Sequence, residues 1–130
     1  LNIKRFTEQE IEQARAFLRQ RNADYMRKCE NMHAQAVDDC RKIIDIMITK
    51  YGVQRIYQWG SLLNKHNFRD YSDIDIAVEG LKKAEDYFAL LEEAQQCTAF
   101  PVDIVEIEKI EPEYADEIKQ MGKVVYERGQ

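Results

Sequence analysis

Proline and glycine are scarce in this chain, with two and five residues among 130, which argues against long irregular loops and against a disordered composition. Cysteine is scarce too. Cys29, Cys40 and Cys97 are odd in number and show no C-x-x-C spacing, so they read as reduced core thiols and not as a disulfide framework. No apolar run approaches the roughly 18 residues of a membrane span, and the start carries no basic-then-apolar leader, so a soluble, cytoplasmic protein is expected. A basic excess is also missing. The net charge is −5, and residues 1–51 hold ten Lys or Arg against eight Asp or Glu, which leaves −7 for residues 52–130. An acidic second half is a poor match to a nucleic-acid backbone, so no strong nucleic-acid binding is expected.

What the chain does have is a 45% hydrophobic, 33% charged composition of a length that suits one domain with a single core. The Thr7-Glu8-Gln9-Glu10 segment has the form of a capping box and predicts a helix start. Apolar positions then recur near every 3.6 residues, from Ile11 through Leu18, Tyr25, Cys29, Ala36, Cys40, Ile43 and Met47. An unbroken helix to Lys50 would be about 66 Å long. Either it breaks near Asn22 to Asp24, or its first half protrudes and offers its stripe to a partner helix. Gly52 supplies the stop. Strands are predicted over Arg55–Trp59, Ser72–Val78 and Phe100–Ile107, with a helix over Lys82–Gln96, a last helix opening at Pro112 and ending at Gly122, and a short edge strand at Val124–Tyr126.

The chemistry concentrates in the segment Ser72-Asp73-Ile74-Asp75-Ile76-Ala77-Val78. Residues two apart on a strand project together, so Asp73 and Asp75 share one face while Ile74, Ile76 and Val78 take the other. At a separation of about 4 Å and an effective dielectric constant of about 20, two bare carboxylates repel by about 4 kcal/mol, and a hard divalent cation relieves that repulsion. A calcium loop is excluded by spacing, because counting from Asp73 puts Val78 where glycine is needed and Ala84 where a bidentate Glu is needed. Gly60-Ser61 stands directly after the first predicted strand, where a missing side chain and then a hydroxyl let a phosphate approach the backbone. Asp103 adds a third carboxylate on a later strand, on one face with Val105 and Ile107.

Gly60-Ser61, then Ser72-Asp73-Ile74-Asp75, then Asp103 resembles the nucleotidyltransferase superfamily typified by DNA polymerase β, specifically its minimal members, over roughly residues 38–127. The resemblance implies an α+β fold of the polymerase β-like palm type: a small mixed sheet flanked by helices. Residues 1–37 would be an N-terminal helical extension and residues 38–130 the nucleotidyltransferase domain. It also implies two Mg²⁺ ions, or Mn²⁺, bridged by Asp73 and Asp75, with Asp103 at the metal nearer the attacking hydroxyl and Gly60 with Ser61 on the triphosphate. Where many members carry Gly and Arg after the Gly-Ser pair, this chain has Leu62-Leu63-Asn64-Lys65, which makes Lys65 and Arg69 the candidate replacements. Ser72 joins the nucleotide-binding set, although a hydroxyl before a strand also suits a turn.

The implied activity is transfer of a nucleotide, AMP from ATP, to a hydroxyl of a protein partner, as in minimal nucleotidyltransferases that serve as antitoxins to HEPN-domain toxins. Two alternatives stay open: transfer to a small molecule such as an aminoglycoside, and a catalytically inactive antitoxin that binds its partner. A homo-oligomer through the N-terminal helix is a further expectation. His33 and His66 read as surface or packing residues, Trp59 as core, and the run Glu106, Glu108, Glu111, Glu113 as a solvated edge.

Overall fold

The computed structural model describes residues 5–129, so the first four residues of the predicted extension lie outside the described residues. The expected capping box forms: Thr7 Oγ1 accepts the Glu10 N–H at 3.1 Å, and Glu10 Oε1 accepts the Thr7 N–H at 3.5 Å. Helix α1 runs over Glu8–Lys50 without a break, and Gly52, just past the cap at Tyr51, provides the left-handed stop with a φ of +58°. Of the two outcomes left open for this segment, protrusion is the one found. Residues 5–24 are exposed throughout, and full burial begins at Cys29, continuing at Ala36, Asp39, Cys40, Ile43 and Met47.

Four strands follow, β1 (Arg55–Trp59), β2 (Ile74–Glu79), β3 (Val102–Glu106) and β4 (Lys123–Glu127), in the sheet order β3-β2-β1-β4. β1 pairs antiparallel with β2 and with β4, while β2 and β3 run parallel. The parallel pair needs a crossover, which α2 (Ala84–Gln96) provides; α3 (Pro112–Met121) precedes the edge strand β4. The sheet is therefore small and mixed, as the resemblance implied.

Side-chain alternation divides the sheet into two faces. Ile56, Ile74, Ile76, Val78 and Ile104 pack with Ala36, Cys40, Ile43 and Met47 of α1 and Leu90 and Ala94 of α2. On the other face, Tyr57, Ala77 and Ile107 meet Ala115 and Ile118 of α3 in a smaller cluster. Asp39 ties α1 to the approach to β3. Only 5% exposed, it accepts hydrogen bonds from Gln35 Nε2 at 2.9 Å and from Thr98 Oγ1 at 2.6 Å. The Cys29 and Cys40 thiols are buried, and burial pushes the Cys40 thiol up to about 12, which makes it unreactive near neutrality.

Several boundaries differ from expectation: α2 begins at Ala84 and not at Lys82, β3 ends at Glu106 and not at Ile107, and both β2 and β3 start late. β2 begins at Ile74 and not at Ser72, because Ser72 closes a turn instead: its Oγ accepts the Arg69 N–H at 2.8 Å and its N–H donates to Arg69 O at 3.0 Å. β3 begins after Pro101, which has no N–H to contribute to the ladder. The acidic run is also not a uniformly solvated edge. Glu106 is 3.3 Å from Lys109 with its side chain 11% exposed, and Glu108 accepts the Gly80 N–H at 2.8 Å. Among the described residues, no helix is long and apolar enough to cross a membrane.

The split of α1 into a packed and a protruding half gives a direct test. Ile43→Ala is expected to destabilise the fold by about 2–5 kcal/mol through lost burial and an unfilled cavity, whereas Phe17→Ala, on a side chain 66% exposed, is expected to stay within about 0.5 kcal/mol. Urea unfolding of both variants decides it, and equal losses would mean that the outer half of α1 is packed after all.

Candidate active site

The site forms where β1 ends and β2 begins. Trp59 is the register partner of Asp75 across the antiparallel pair, and Asp75 is the register partner of Asp103 across the parallel pair. The sheet thus lays the indole and the two carboxylates side by side. Alternation puts all three on the α3 side, because Ile74, Ile76 and Ile104 occupy the opposite core. Asp73 lies one residue before β2, exposed, and Asp103 is exposed, while Asp75 is half-buried between them.

Gly60 follows Trp59 with φ of +79°, and a Cβ at that position would overlap Asp75 Oδ2 and crowd the rest of that carboxyl group. Glycine is required twice here, for the backbone angle and for the space. The chain then turns through the short 3₁₀ helix Gly60–Leu63, which presents half-buried Ser61, while Leu62 is buried. Beside this turn lies a cavity of about 430 Å³ lined by Trp59, Gly60, Ser61, Leu63, Tyr114 and Ile118, among others. Its volume lies in the range of small-molecule sites. Trp59 and Tyr114 meet edge to face at 5.7 Å, and the Trp59 Nε1–H is buried without a hydrogen-bond acceptor among the described residues.

The electrostatics point to unrelieved negative charge. Burial, the Asp103 carboxylate and the Asp73 carboxylate, in that order, push Asp75 up to about 6. The Tyr114 hydroxyl is raised by burial and then by Asp103, Asp75 and Glu117, which places it within the field of the same carboxylates. Among the described residues, none of the three aspartates forms an ion pair. Nor do any three His, Cys, Asp or Glu side chains among them form a ready-made metal cage. What the backbone fixes is the adjacency of Asp75 and Asp103; the exposed Asp73 and Asp103 can still turn about their side-chain torsions.

The other sequence candidates lie on the loop from Asn64 to Asp73. Lys65 is exposed at its tip. Arg69 is half-buried and its Nη1 donates to His66 O at 2.7 Å and Phe68 O at 3.0 Å, so part of its donor capacity is taken by the loop itself. Ser72 is 8% exposed and its hydroxyl accepts the Arg69 N–H, the turn alternative that the sequence left open. Two cavity residues had no place in the sequence argument as site residues. Tyr114 arrives from α3 by tertiary packing alone. For Trp59 a signal existed, since it immediately precedes Gly60 and alternation puts it on the Asp75 side; it lines the cavity half-buried and is not a fully enclosed core residue.

The raised Asp75 carboxyl has a stability consequence with a defined sign. Its folded value of about 6 exceeds the ordinary carboxyl value of 3.8, so the folded state holds the proton more tightly, and stability is lost as pH rises through that window. Asp75→Asn is therefore expected to be more stable than the wild type at pH 7.5 in metal-free buffer by about 1 kcal/mol, after discounting for the side chain's partial exposure. The difference should shrink toward pH 4, and a difference flat across pH 4–7.5 in chemical denaturation would contradict the assignment.

Residues 41–130 match the family model described as "Polymerase beta, Nucleotidyltransferase". No curated protein matches the chain. Among solved structures, the chain is similar to the MntA–HepT toxin–antitoxin, with a TM-score of 0.53 and 22% identity over 69% of this chain and 71% of the other. It is likewise similar to a toxin–antitoxin solved with AMP-PNP, with a TM-score of 0.55 and 22% identity over 70% of this chain and 73% of the other. At that identity the structural likeness speaks for the fold. Because the family match takes in every strand of the sheet, both helices that follow α1 and the whole loop from Gly60 to Asp73, the chain belongs to the polymerase beta nucleotidyltransferase family.

Proposed function

We propose that this protein transfers AMP from ATP to a hydroxyl group of a protein partner, and that the partner is a HEPN-domain toxin held in check by the modification. The observation that carries the chemistry is the in-register pair Asp75 and Asp103 beside Gly60, with a cavity that Gly60, Ser61 and Trp59 line next to it. The partner class is supported by the toxin–antitoxin neighbours, one of them solved with an ATP analogue. In this reading residues 38–130 are the transferase domain and residues 1–37 an extension whose exposed Ile11, Phe17 and Leu18 offer a surface to the partner or to a second copy, in the cytoplasm.

An all-oxygen set on half-buried and exposed carboxylates fits hard divalent cations, so Asp73, Asp75 and Asp103 are the residues that would hold Mg²⁺ or Mn²⁺. Bound there, such ions supply charge neutralisation to the phosphate oxygens and support for the entering and leaving oxygens of an in-line displacement. The residues of the chain do the rest. Gly60 lets the backbone come close to the triphosphate, Ser61 offers a hydroxyl, and Lys65 and Arg69 bring positive charge to the same loop. Ser72 contributes by holding the Arg69 backbone in its turn. The cavity by Trp59 and Tyr114 has room for the nucleoside, with the unused Trp59 N–H as a donor. Asp103, on the exposed side, orients the acceptor hydroxyl and takes its proton. The hydroxyl oxygen bonds to the α-phosphorus, the bond to the β-phosphate oxygen breaks, and pyrophosphate leaves.

Mass spectrometry tests the reading. Incubation with ATP, Mg²⁺ and a HEPN-domain protein encoded beside this gene is expected to add a nucleotidyl mass to that protein, and Asp75→Asn or Asp103→Asn to slow the addition on the order of 10²-fold or more. Gly60→Ala is expected to weaken ATP binding through the clash with Asp75 and the strained backbone, read by calorimetry. No mass gain with wild-type protein, together with calorimetric silence toward Mg²⁺ and ATP, would refute the transferase proposal. Full toxin neutralisation by Asp73→Ala combined with Asp75→Ala would show that partner binding suffices without catalysis.

A further inference from the structure

Residues 8–40 of α1 precede the family match, yet three of them reach the loop that follows Gly60. His33 Nε2 lies 2.8 Å from Leu62 O; a carbonyl can only accept, so Nε2 carries the proton and donates it. The same imidazole meets Phe68 edge to face at 5.4 Å, and Phe68 is fully buried. Two turns earlier on the helix, Tyr25 Oη donates to Asp70 Oδ1 at 2.9 Å, and Lys28 Nζ lies 3.8 Å from Asp70 Oδ2. One unbroken helix therefore touches both ends of the loop, at Leu62 and at Asp70.

The loop has need of such support. The 3₁₀ helix Gly60–Leu63 is four residues long, and its closing bond, Asn64 N–H to Ser61 O, is 3.2 Å. A single short turn of this kind is held weakly by its own hydrogen bonds. Beyond it, the side chain of Asn64 accepts the His66 N–H at 2.9 Å and Ser72 closes the far end, but residues 63–67 are exposed. Apart from the fit of Gly60 against Asp75 at its start, the turn is then oriented by the buried Leu62 and Phe68 side chains and by the Leu62 carbonyl that α1 holds.

We propose that His33 is a positioning residue for the nucleotide-binding turn, and that α1 acts as a strut, gripping Leu62 through His33 and Asp70 through Tyr25 and Lys28. The proposal rests on reading Gly60 and Ser61 as the triphosphate site, and it deepens that reading by assigning a role to residues outside the family match. His33 touches no phosphate. It acts by fixing the carbonyl next to Ser61, so its loss disturbs nucleotide binding more than the chemical step.

Three variants of the full chain test this. His33→Phe keeps an aromatic edge toward Phe68 and removes the donor, His33→Gln keeps an N–H donor, and Tyr25→Phe with Lys28→Ala releases Asp70 from the exposed stretch of the helix. Hydrogen exchange of amides 61–69 without nucleotide is expected to quicken about threefold to tenfold in His33→Phe, the loss of one hydrogen bond. KM for ATP should rise by a similar factor with kcat changed less than about twofold, and His33→Gln should recover most of both effects. Should His33→Phe fail to fold, the Tyr25→Phe, Lys28→Ala pair carries the test, with faster exchange confined to residues near Asp70. Unchanged exchange and KM in His33→Phe, or equal damage in His33→Phe and His33→Gln, would overturn the proposal in favour of simple packing. Faster exchange in a protein that binds no ATP would keep the strut and sink the transferase reading, so the two failures are distinguishable.

Discussion

The contact on which this site depends is the approach of the Gly60 backbone to the Asp75 carboxylate. A side chain at residue 60 would occupy the volume that the Asp75 oxygen fills, and the φ of +79° would strain any residue but glycine. That close approach brings the end of β1, with Trp59 on it, against the start of β2, and the turn bearing Ser61 follows directly. The negative charge gathered there is costly to the protein alone, as the upward shift of Asp75 records. Costs of this kind gather where folds keep functional sites.

The two faces of the sheet divide the work. The face under α1 and α2 carries the larger core and holds the four strands in register, so Asp75 and Asp103 come together as a consequence of Ile74, Ile76 and Ile104 being buried on the other side. The face under α3 carries the smaller cluster, and there Trp59 and Tyr114 line the cavity while Asp75 stands in register between Trp59 and Asp103. α1 belongs to both stories. Its second half builds the core, and its middle reaches over to the loop beyond Gly60 through His33, Tyr25 and Lys28, before the helix continues outward as an exposed arm.

Much of this was legible in the residue order, because each signal was local. The Thr7 and Glu10 capping box, the stop at Gly52, the strand Arg55–Trp59 and the Pro112 start of the last helix all follow from rules that act within a few residues. Strand alternation likewise assigned Asp73 and Asp75 to one side and the isoleucines to the other. The errors were also local in origin: Ser72 was counted into β2 because a hydroxyl before a strand looks the same whether it caps a turn or extends the ladder. Its hydrogen bond to Arg69 N decided for the turn.

By itself, then, the sequence determined the elements and their faces, since periodicity and residue type are properties of neighbouring positions, while the class of chemistry rested on the family resemblance that its motifs carry. Tertiary structure alone decided that α1 would run unbroken past its own core, that Asp103 would stand beside Asp75, and that Tyr114 would reach the cavity. It also gave His33, expected as a surface or packing residue, the Leu62 carbonyl as a partner. The reason is the separation along the chain, 28 residues from Asp75 to Asp103 and 29 from His33 to Leu62. Contacts across such distances are set by sheet register and helix packing, which only the assembled core selects.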